Sequence, residues 1–257
     1  MQDIIKTALI QTPLVWEKPQ VNRKVLRQKI NELQRDTDLV VLPEMFTSGF
    51  TMNPETVAEN MEGETMTWMR EVAKENEIAI TGSIVIREQG KYYNRLLFVY
   101  PDGKVEHYDK KHTFTLAGED KVYDTGTKRL VVEYKGWKIC PLICYDLRFP
   151  VWARNTENFD LLLFVANWPS PRIGSWDILL KARAVENLCY CIGVNRVGED
   201  HNGHQYPGHS AVYDVLGRQM AFSQKEETLY ATPDKEKITY YRDKLRFLDD
   251  RDEFQFL

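Results

Sequence analysis

Short apolar runs alternate with amphipathic stretches along the whole chain, and this alternation restricts the folds that it can adopt. The apolar runs are rich in β-branched and aromatic residues and are bounded by turn residues, a pattern that predicts strands. We predict strands at residues 5–11, 39–42, 78–86, 92–100, 130–134, 138–143, 161–166, 189–195, 210–213, 219–222 and 227–231.

The amphipathic stretches predict helices at residues 19–35, 64–76, 151–158 and 175–188. In the last of these helices Ser175 is the expected N-cap, and the expected apolar face consists of Ile178, Leu179, Ala182, Ala184 and Val185. Helices that alternate with strands favour layered α/β packing. The turn residues at 101–103 and 214–217 predict hairpins, so the sheet cannot be entirely parallel.

The charge and composition of the chain exclude some classes of function. The 257 residues carry a net charge of −4, which leaves no basic excess to neutralise phosphates and argues against a nucleic-acid partner. No apolar run is long enough to span a membrane, and the N-terminus shows no secretory signal, so we expect a cytoplasmic location. No repeat, linker or composition shift divides the chain, which predicts one domain over residues 1–257 with a charged, aromatic tail from about residue 238.

The four cysteines are Cys140, Cys144, Cys189 and Cys191. Four cysteines are too few for a disulfide scaffold, and their spacings do not match a structural zinc site. Cys140, Cys189 and Cys191 lie inside apolar runs, which is typical of buried thiols. We therefore expect neither a metal nor a cofactor.

Cys144 differs from the other cysteines because it ends the apolar segment 137–143 and is followed by Tyr-Asp-Leu-Arg. This places a candidate nucleophile where a strand gives way to a helix, and active-site residues collect at such strand ends. Two other segments offer complementary groups. Glu44 follows the apolar run 39–43, and Lys110 follows a third strand segment.

A cysteine nucleophile needs a base or a positive neighbour at neutral pH, because only a few per cent of an ordinary thiol is ionised. The spacing selects no partner among the five histidines, His107, His112, His201, His204 and His209, so a Cys–His protease stays open. A carboxylate can do the same work when burial raises its pKa toward neutrality. Apolar neighbours on both sides suit Glu44 to this role, although a glutamate at a strand end is commonly just exposed.

Three segments together resemble a known family. Pro-Glu-Met-Phe at 43–46, Asp-Lys-Lys-His-Thr-Phe at 109–114 and Cys-Tyr-Asp-Leu-Arg-Phe-Pro at 144–150 look like the signature segments of the nitrilase superfamily of carbon–nitrogen hydrolases. They occur in the family's order, and the similarity extends from residue 5 to about residue 231. Ala-Gly-Glu at 117–119 and Asn-Trp-Pro-Ser-Pro-Arg at 167–172 resemble the bacterial omega-amidases.

The resemblance implies a role for each matched residue. Cys144 would be the nucleophile, and Glu44 the general base that takes its proton and later gives it to ammonia. Lys110 and the backbone N–H of Tyr145 would stabilise the oxyanion of the tetrahedral intermediate. Glu119 would orient the lysine and the substrate.

The same resemblance suggests how the substrate is held. A cation should bind the substrate carboxylate, and Arg148 is the first candidate and Arg172 the second. Arg148 could instead belong to a structural ion pair. Phe114, Tyr145 and Trp168 could form the walls of a small cavity or be part of the core. The loop 167–172 departs from the animal omega-amidases.

The family implies a single-domain, four-layer α-β-β-α sandwich that forms a homodimer through elements beside the nucleophile, with residues 151–153 and the aromatic tail as candidate contacts. The implied reaction is hydrolysis of the terminal amide of a small-molecule substrate, 2-oxoglutaramate or 2-oxosuccinamate, to the 2-oxo acid and ammonia. An N-carbamoyl-amide hydrolase, another aliphatic amidase or a nitrilase would retain the same fold. A non-catalytic scaffold or binding protein is the alternative from another functional class.

Overall fold

The computed structural model describes residues 2–255. Within that range the helices are α1 (Pro19–Asn31), α2 (Glu64–Asn76), α3 (Ile173–Asn187) and α4 (Lys235–Leu245). The strands are β1 (Thr7–Gln11), β2 (Leu39–Val41), β3 (Ala79–Glu88), β4 (Lys91–Val99), β5 (Val105–Asp109), β6 (Val132–Tyr134), β7 (Trp137–Ile143), β8 (Leu161–Ala166), β9 (Tyr190–Asn195), β10 (Val197–Glu199), β11 (Gln205–Pro207), β12 (Ser210–Tyr213), β13 (Gln219–Ser223) and β14 (Glu227–Ala231).

Most of the described strands belong to two six-stranded sheets. The first has the order β14-β1-β2-β3-β4-β5 and the second the order β13-β12-β9-β8-β7-β6, while β10 and β11 form a separate hairpin. In both sheets three neighbouring strands run parallel, β1-β2-β3 in the first and β7-β8-β9 in the second. The predicted hairpins join β4 to β5 and β12 to β13, so both sheets are mixed as expected.

The two sheets pack face to face, and helices cover their outer faces. Apolar side chains of β1, β2 and β4 share one core cluster with those of β7, β8 and β9. Leu26 of α1 and Met69 of α2 share a second core cluster with Ile10 of the first sheet. Trp176 and Leu180 of α3 join the core beside β9 and β12. These layers confirm the predicted four-layer α-β-β-α sandwich.

The parallel strands place the chemically important residues just beyond their carboxyl ends. β2 ends at Val41, shortly before Glu44, and β7 ends at Ile143, immediately before Cys144. β5 is an antiparallel edge strand whose last residue precedes Lys110. The ends of three strands from two sheets therefore supply the residues that the sequence singled out.

The predicted helix at 151–158 is wrong, because this segment consists of turns. Arg129 Nη1 donates hydrogen bonds to the backbone carbonyls of Trp152 (2.9 Å) and Arg154 (2.7 Å). Asn155 receives a hydrogen bond from the backbone N–H of Phe159 at its side-chain oxygen (2.9 Å). The backbone of this segment thus forms hydrogen bonds with the side chains of Arg129 and Asn155, in place of the hydrogen bonds of a helix.

Helix α3 also differs from the prediction. It begins at Ile173, so Ser175 lies inside the helix and is not its N-cap. The side chains of Ile178 and Val185 are exposed, whereas the buried residues are Trp176, Leu180, Arg183, Ala184 and Asn187. Gly193 of β9 explains the choice of face, because an added Cβ there would lie 2.4 Å from Leu180 and 2.6 Å from Trp176.

Strands β10 and β11 and helix α4 were not predicted, and β5 was expected only as a strand segment before Lys110, without bounds. β5 is rich in polar and charged residues, as an exposed edge strand can be. α4 buries Ile238, and its N-cap is Asp234, whose side chain accepts a hydrogen bond from Glu236 N. The predicted tail from residue 238 therefore starts inside a helix, and its last aromatic residue, Phe256, lies outside the described residues. Among residues 2–255 no helix is long and apolar enough to cross a membrane.

Candidate active site

Lys110, Glu44 and Glu119 form a buried charge cluster. Lys110 Nζ lies 2.9 Å from Glu44 Oε1 and 2.9 Å from each carboxylate oxygen of Glu119. All three side chains are at most 1% exposed. Burial disfavours the charged form of Lys110, but Glu119 and Glu44 more than offset it and raise the pKa of the ammonium group above its ordinary value. Lys110 therefore stays positively charged.

Hydrogen bonds fix the Glu44 carboxylate in one orientation. Asn94 Nδ2 donates to Oε1 at 2.8 Å, and the backbone N–H of Asn167 donates to Oε2 at 2.8 Å. Asn167 Nδ2 also donates to the backbone carbonyl of Glu44 at 2.6 Å. The next residue, Met45, has φ +44° and donates its N–H to Ser83 Oγ at 2.8 Å. The turn after β2 is thus held from both sheets.

Cys144 occupies a sharp turn between β7 and the 3₁₀ turn Cys144–Arg148. Its φ of +43° is in the left-handed region, which is unfavourable for a residue with a side chain. Asp146 holds the turn, because its Oδ2 accepts hydrogen bonds from Ile143 N at 3.0 Å and from the Tyr108 hydroxyl at 2.8 Å. The Cys144 residue is partly exposed at the floor of a pocket.

The surroundings of Cys144 keep its thiol protonated. Burial of the sulfur raises its pKa well above the ordinary value, and the Glu44 carboxylate raises it further. The Lys110 ammonium lowers it, but not enough to reverse the direction. Cys144 therefore needs a base to act as a nucleophile at neutral pH, and Glu44 is the neighbouring carboxylate.

Glu119 joins the cluster from the segment after Lys110. Burial raises the pKa of its carboxyl group, and Lys110 counteracts this effect. The backbone N–H of Phe114 donates a hydrogen bond to Glu119 Oε2 at 2.5 Å. The glutamate is therefore fixed between the lysine and the loop that carries Phe114.

His112 is adjacent to the site but faces another partner. Its Nδ1 lies 2.8 Å from Asp146 Oδ1, and its backbone N–H donates to the same oxygen at 3.0 Å. The imidazole stacks on Phe149, with ring centroids 3.6 Å apart and planes 4° apart. His112 thus supports the turn that carries Cys144. His204 lines the same pocket as Cys144, with Nδ1 3.2 Å from Asp200 Oδ2.

The pocket above Cys144 has a volume of about 320 Å³ and contains two arginines. Arg148 lies over the ring of Trp168, and Arg172 over the ring of Phe114, each with its guanidinium carbon 5.0 Å from the ring centroid. No carboxylate within residues 2–255 forms an ion pair with either arginine. The structural ion pair considered for Arg148 is therefore absent from the described chain.

The aromatic residues predicted near the substrate line this pocket. Phe114 and Tyr145 are in contact, with ring centroids 4.9 Å apart, and both are partly exposed. Trp168 is 3% exposed and packs against Trp176, so it belongs to the core as well as to the pocket wall. Phe114 and Tyr145 thus form part of the pocket wall, and Trp168 belongs to both the wall and the core.

The hairpin of β10 and β11 forms the opposite side of the pocket and was missed by the sequence patterns. It contributes Asp200, Asn202, His204 and Tyr206 to the lining. Asp200 accepts hydrogen bonds from the backbone N–H groups of Asn202 (2.9 Å) and His204 (3.0 Å) and from the Tyr206 hydroxyl (2.8 Å). Burial acts to raise the pKa of Asp200, but these hydrogen bonds together outweigh it and hold the pKa below the ordinary value. The carboxylate is therefore occupied by its own hairpin.

Asn94, Asn167 and Asp146 were also missed as parts of the site. Asn94 lies beside Arg95 in the polar first half of β4, and Asp146 follows Cys144 by two residues. Position in the sequence was therefore the available signal for both. The residues described here contain no group of three or more His, Cys, Asp or Glu side chains that could hold a metal ion.

This sandwich, with a thiol, a carboxylate and an ammonium group meeting at its strand ends, has the architecture of a thiol-dependent hydrolase. The family model for carbon-nitrogen hydrolases matches residues 6–243. The chain belongs to the carbon–nitrogen hydrolase family.

Similar proteins support this assignment over nearly the full length. The chain is 43% identical to omega-amidase YafV of Yersinia enterocolitica, an alignment that covers 98% of this chain and 99% of the relative. It is 31% identical to 2-oxoglutaramate amidase of Bacillus subtilis, over 94% and 95% of the two chains. The crystal structure of XC1258 from Xanthomonas campestris, a CN-hydrolase superfamily protein with an arsenic adduct in its active site, superposes with a TM-score of 0.97 at 42% identity and covers 99% of this chain and 100% of that one.

Proposed function

We propose that the protein hydrolyses the terminal amide of 2-oxo-dicarboxylic acid monoamides, with 2-oxoglutaramate and 2-oxosuccinamate as substrates. The observation that carries this proposal is the position of Cys144 beside the buried Lys110, Glu44 and Glu119 cluster, at the floor of a pocket that also contains arginines. The relatives named omega-amidase and 2-oxoglutaramate amidase support the substrate class.

In the first half of the reaction, Glu44 takes the proton of the Cys144 thiol as the sulfur attacks the amide carbon. The negative charge moves to the carbonyl oxygen, where the Lys110 ammonium and the backbone N–H of Tyr145 stabilise it. The carbon–nitrogen bond then breaks, and Glu44 gives the proton to the departing ammonia. A thioester between Cys144 and the 2-oxo acid remains.

In the second half, a water molecule attacks the thioester carbon. Glu44 removes one proton from the water, and the same oxyanion donors stabilise the second tetrahedral intermediate. The carbon–sulfur bond breaks, the sulfur recovers the proton from Glu44, and the 2-oxo acid leaves. Glu119 keeps Lys110 charged and in position during both halves.

The substrate carboxylate is assigned to the pocket arginines. Arg148 and Arg172 approach the pocket from different segments, and the described chain gives neither of them a carboxylate partner. An unneutralised guanidinium in a partly desolvated pocket favours a carboxylate ligand. Phe114, Tyr145 and Trp168 provide the walls that confine the short carbon chain.

The homodimer also stays a proposal, and exposed apolar residues support it. The side chains of Val151 and Ile178 are 54% and 71% exposed. The segment that follows Val151 hydrogen-bonds to the end of α3 through Asn155 and Asn187, and Ile178 lies on the same helix. Light scattering should give the mass of two chains for the wild type and of one chain for Ile178→Glu. The cytoplasmic location and the single hydrolase domain likewise stay predictions.

The proposed reaction is tested by ammonia release from a panel of substrates. The panel contains 2-oxoglutaramate, 2-oxosuccinamate, an N-carbamoyl amino acid, a neutral aliphatic amide and a nitrile, with Cys144→Ala as the blank. We expect the highest kcat/KM for the two 2-oxo amides. A preference for the carbamoyl compound, the neutral amide or the nitrile would reassign the substrate, and release from none of them would favour the scaffold alternative.

A further inference from the structure

Asn94 of β4 contacts three of the proposed catalytic residues. Its Nδ2 lies 2.8 Å from Glu44 Oε1 and 3.4 Å from Glu119 Oε1, and its backbone carbonyl accepts the N–H of Lys110 at 3.0 Å. The residue is 1% exposed. No family signature or sequence pattern pointed to it. Like Lys110, the Asn94 side chain contacts both carboxylates, but it carries no charge of its own.

The amide group of Asn94 is oriented at a cost to stability. Its Oδ1 is buried and has no hydrogen-bond partner within residues 2–255. Rotating the amide by half a turn would place this oxygen against the Glu44 carboxylate, which repels it. A buried acceptor without a partner is unfavourable, so the donation from Nδ2 to the carboxylates decides the orientation.

The hydrogen bonds to Glu44 leave one direction for proton transfer. Lys110 and Asn94 donate to Oε1, and the backbone N–H of Asn167 donates to Oε2. A carboxylate offers roughly four acceptor positions, so one position on Oε2 remains for the proton of Cys144. We propose that Asn94 is a positioning residue that keeps Glu44 ionised and aimed at the nucleophile. This inference rests on the proposed role of Glu44 as the base.

The electrostatic need for such a donor follows from the cluster. Glu44 and Glu119 share one ammonium group. Two carboxylates that lie so near to each other tend to bind a proton between them. An N–H donor forms a stronger hydrogen bond with an ionised carboxylate than with a protonated carboxyl group. Asn94 therefore opposes protonation of the base without adding a second positive charge, which would compete with Lys110 for the oxyanion.

The position of Asn94 is rigid. β4 lies between β3 and β5 in the first sheet. The neighbouring Arg95 is buried and forms ion pairs with Asp109 of β5 at 2.6 and 2.8 Å. Asp109 immediately precedes Lys110, so the same strand pair holds the asparagine and the lysine in register.

Two variants of Asn94 test the inference through the pH dependence of kcat/KM. Asn94→Leu removes the donor, so the ionised base is less favoured. We expect the acidic limb of the profile to move up by about one to two pH units, so that kcat/KM measured at a given pH on that limb falls roughly 10- to 100-fold. The ratio of variant to wild-type activity then rises with pH.

Asn94→Asp should give the opposite slope. At low pH the new carboxyl group carries a proton and can still donate to Glu44, whereas at high pH it adds a negative charge beside two others. The ratio of variant to wild-type activity should therefore fall with rising pH. Asn155→Leu is the control, because it removes a buried amide that donates only to the backbone carbonyls of Phe159 and Asn187. It should lower Tm and leave the pH profile unchanged.

A second readout separates this inference from the proposed substrate. The rate at which iodoacetamide alkylates Cys144 depends on the base but on no amide substrate. Asn94→Leu should move the acidic limb of that rate upward by the same amount. If the wild type hydrolyses none of the panel, the proposed function fails while alkylation still decides the role of Asn94. Profiles of both Asn94 variants that match the wild type in shape would overturn the inference.

Discussion

Lys110 Nζ lies 2.9 Å from Glu44 Oε1, although 66 residues separate the two in the sequence. Both side chains are at most 1% exposed, so each charge has lost its water. Burying such a pair contributes little net stability and is often less favourable than apolar packing. A cluster of one ammonium and two carboxylates at this depth is therefore better explained by chemistry than by stability.

Replacing the nucleophile should abolish activity without unfolding the protein. Cys144→Ala removes a single sulfur atom at the floor of the pocket and leaves the bonds from Asp146 that hold the turn. We expect ammonia release to fall to the background rate and Tm to stay within a few degrees of the wild type. Both are measured on the purified variant. Appreciable turnover would remove Cys144 as the nucleophile.

Glu44→Gln tests the base. The amide has nearly the same size but cannot accept the thiol proton, and Lys110 keeps the carboxylate of Glu119 as its partner. We expect kcat to fall roughly 10²- to 10⁴-fold, the range typical of a lost general base. The variant should still bind substrate, which isothermal calorimetry on its Cys144→Ala double variant can verify. A change in KM with kcat retained would assign Glu44 to binding instead.

His112→Ala separates the two possible bases. The imidazole is paired with Asp146 and stacked on Phe149, so its loss should loosen the turn that carries Cys144 and lower stability by about 1–3 kcal/mol. We expect activity within roughly tenfold of the wild type when it is assayed well below the lowered Tm. Chemical denaturation and steady-state kinetics measure the two effects. Abolished activity in a fully folded variant would favour a Cys–His mechanism.

The fold was largely predictable because its strands are marked by apolar runs. The nucleophile, the base and the lysine each follow such a run, and the matched segments around them identified the family. Helix α3 shows the limit, since its apolar residues Ile178 and Val185 are exposed while Arg183 and Asn187 are buried. The face that packs lies so close to Gly193 on a neighbouring strand that a side chain there would collide with it, and local periodicity does not reveal such a contact.

The supporting residues of the site were less predictable for a related reason. Asn94 contacts Glu44 and Glu119, which lie 50 and 25 positions away in the sequence. Its role can therefore be recognised only when the fold brings these segments together. The hairpin that carries Tyr206 and Asp200 lies in a polar segment, where sequence patterns indicate only a loop. Motifs locate reacting groups, whereas the residues that orient them depend on tertiary packing.

The pH dependence of alkylation follows from the raised pKa of Cys144. Burial and the neighbouring carboxylate keep the thiol protonated at neutral pH, so reaction with iodoacetamide there requires the base. We expect Glu44→Gln to react far more slowly than the wild type at pH 7 and to approach its rate only at a pH well above the ordinary thiol range, because burial keeps the pKa of Cys144 raised in the variant as well. Mass spectrometry of the modified peptide over time gives the rates. Equal rates at pH 7 would mean that the thiolate forms without Glu44.

The two pocket arginines make distinct predictions for substrate binding. Arg148 belongs to the turn that carries Cys144, whereas Arg172 precedes α3, and each lies over an aromatic ring of the pocket wall. If Arg148 binds the substrate carboxylate, Arg148→Ala should raise KM for 2-oxoglutaramate roughly 10- to 100-fold, as expected for a lost charge-assisted hydrogen bond.

The control for this prediction is a neutral aliphatic amide, whose KM should change little in Arg148→Ala because it carries no carboxylate. Arg172→Ala is the matched variant, and a larger KM effect there would move the anion site to the second arginine. Arg148→Lys retains the charge but not the planar fork, so it should recover only part of the loss. An equal loss on charged and neutral amides in both variants would show that neither arginine recognises the carboxylate, since discrimination between the two substrates is the property that a carboxylate site must provide.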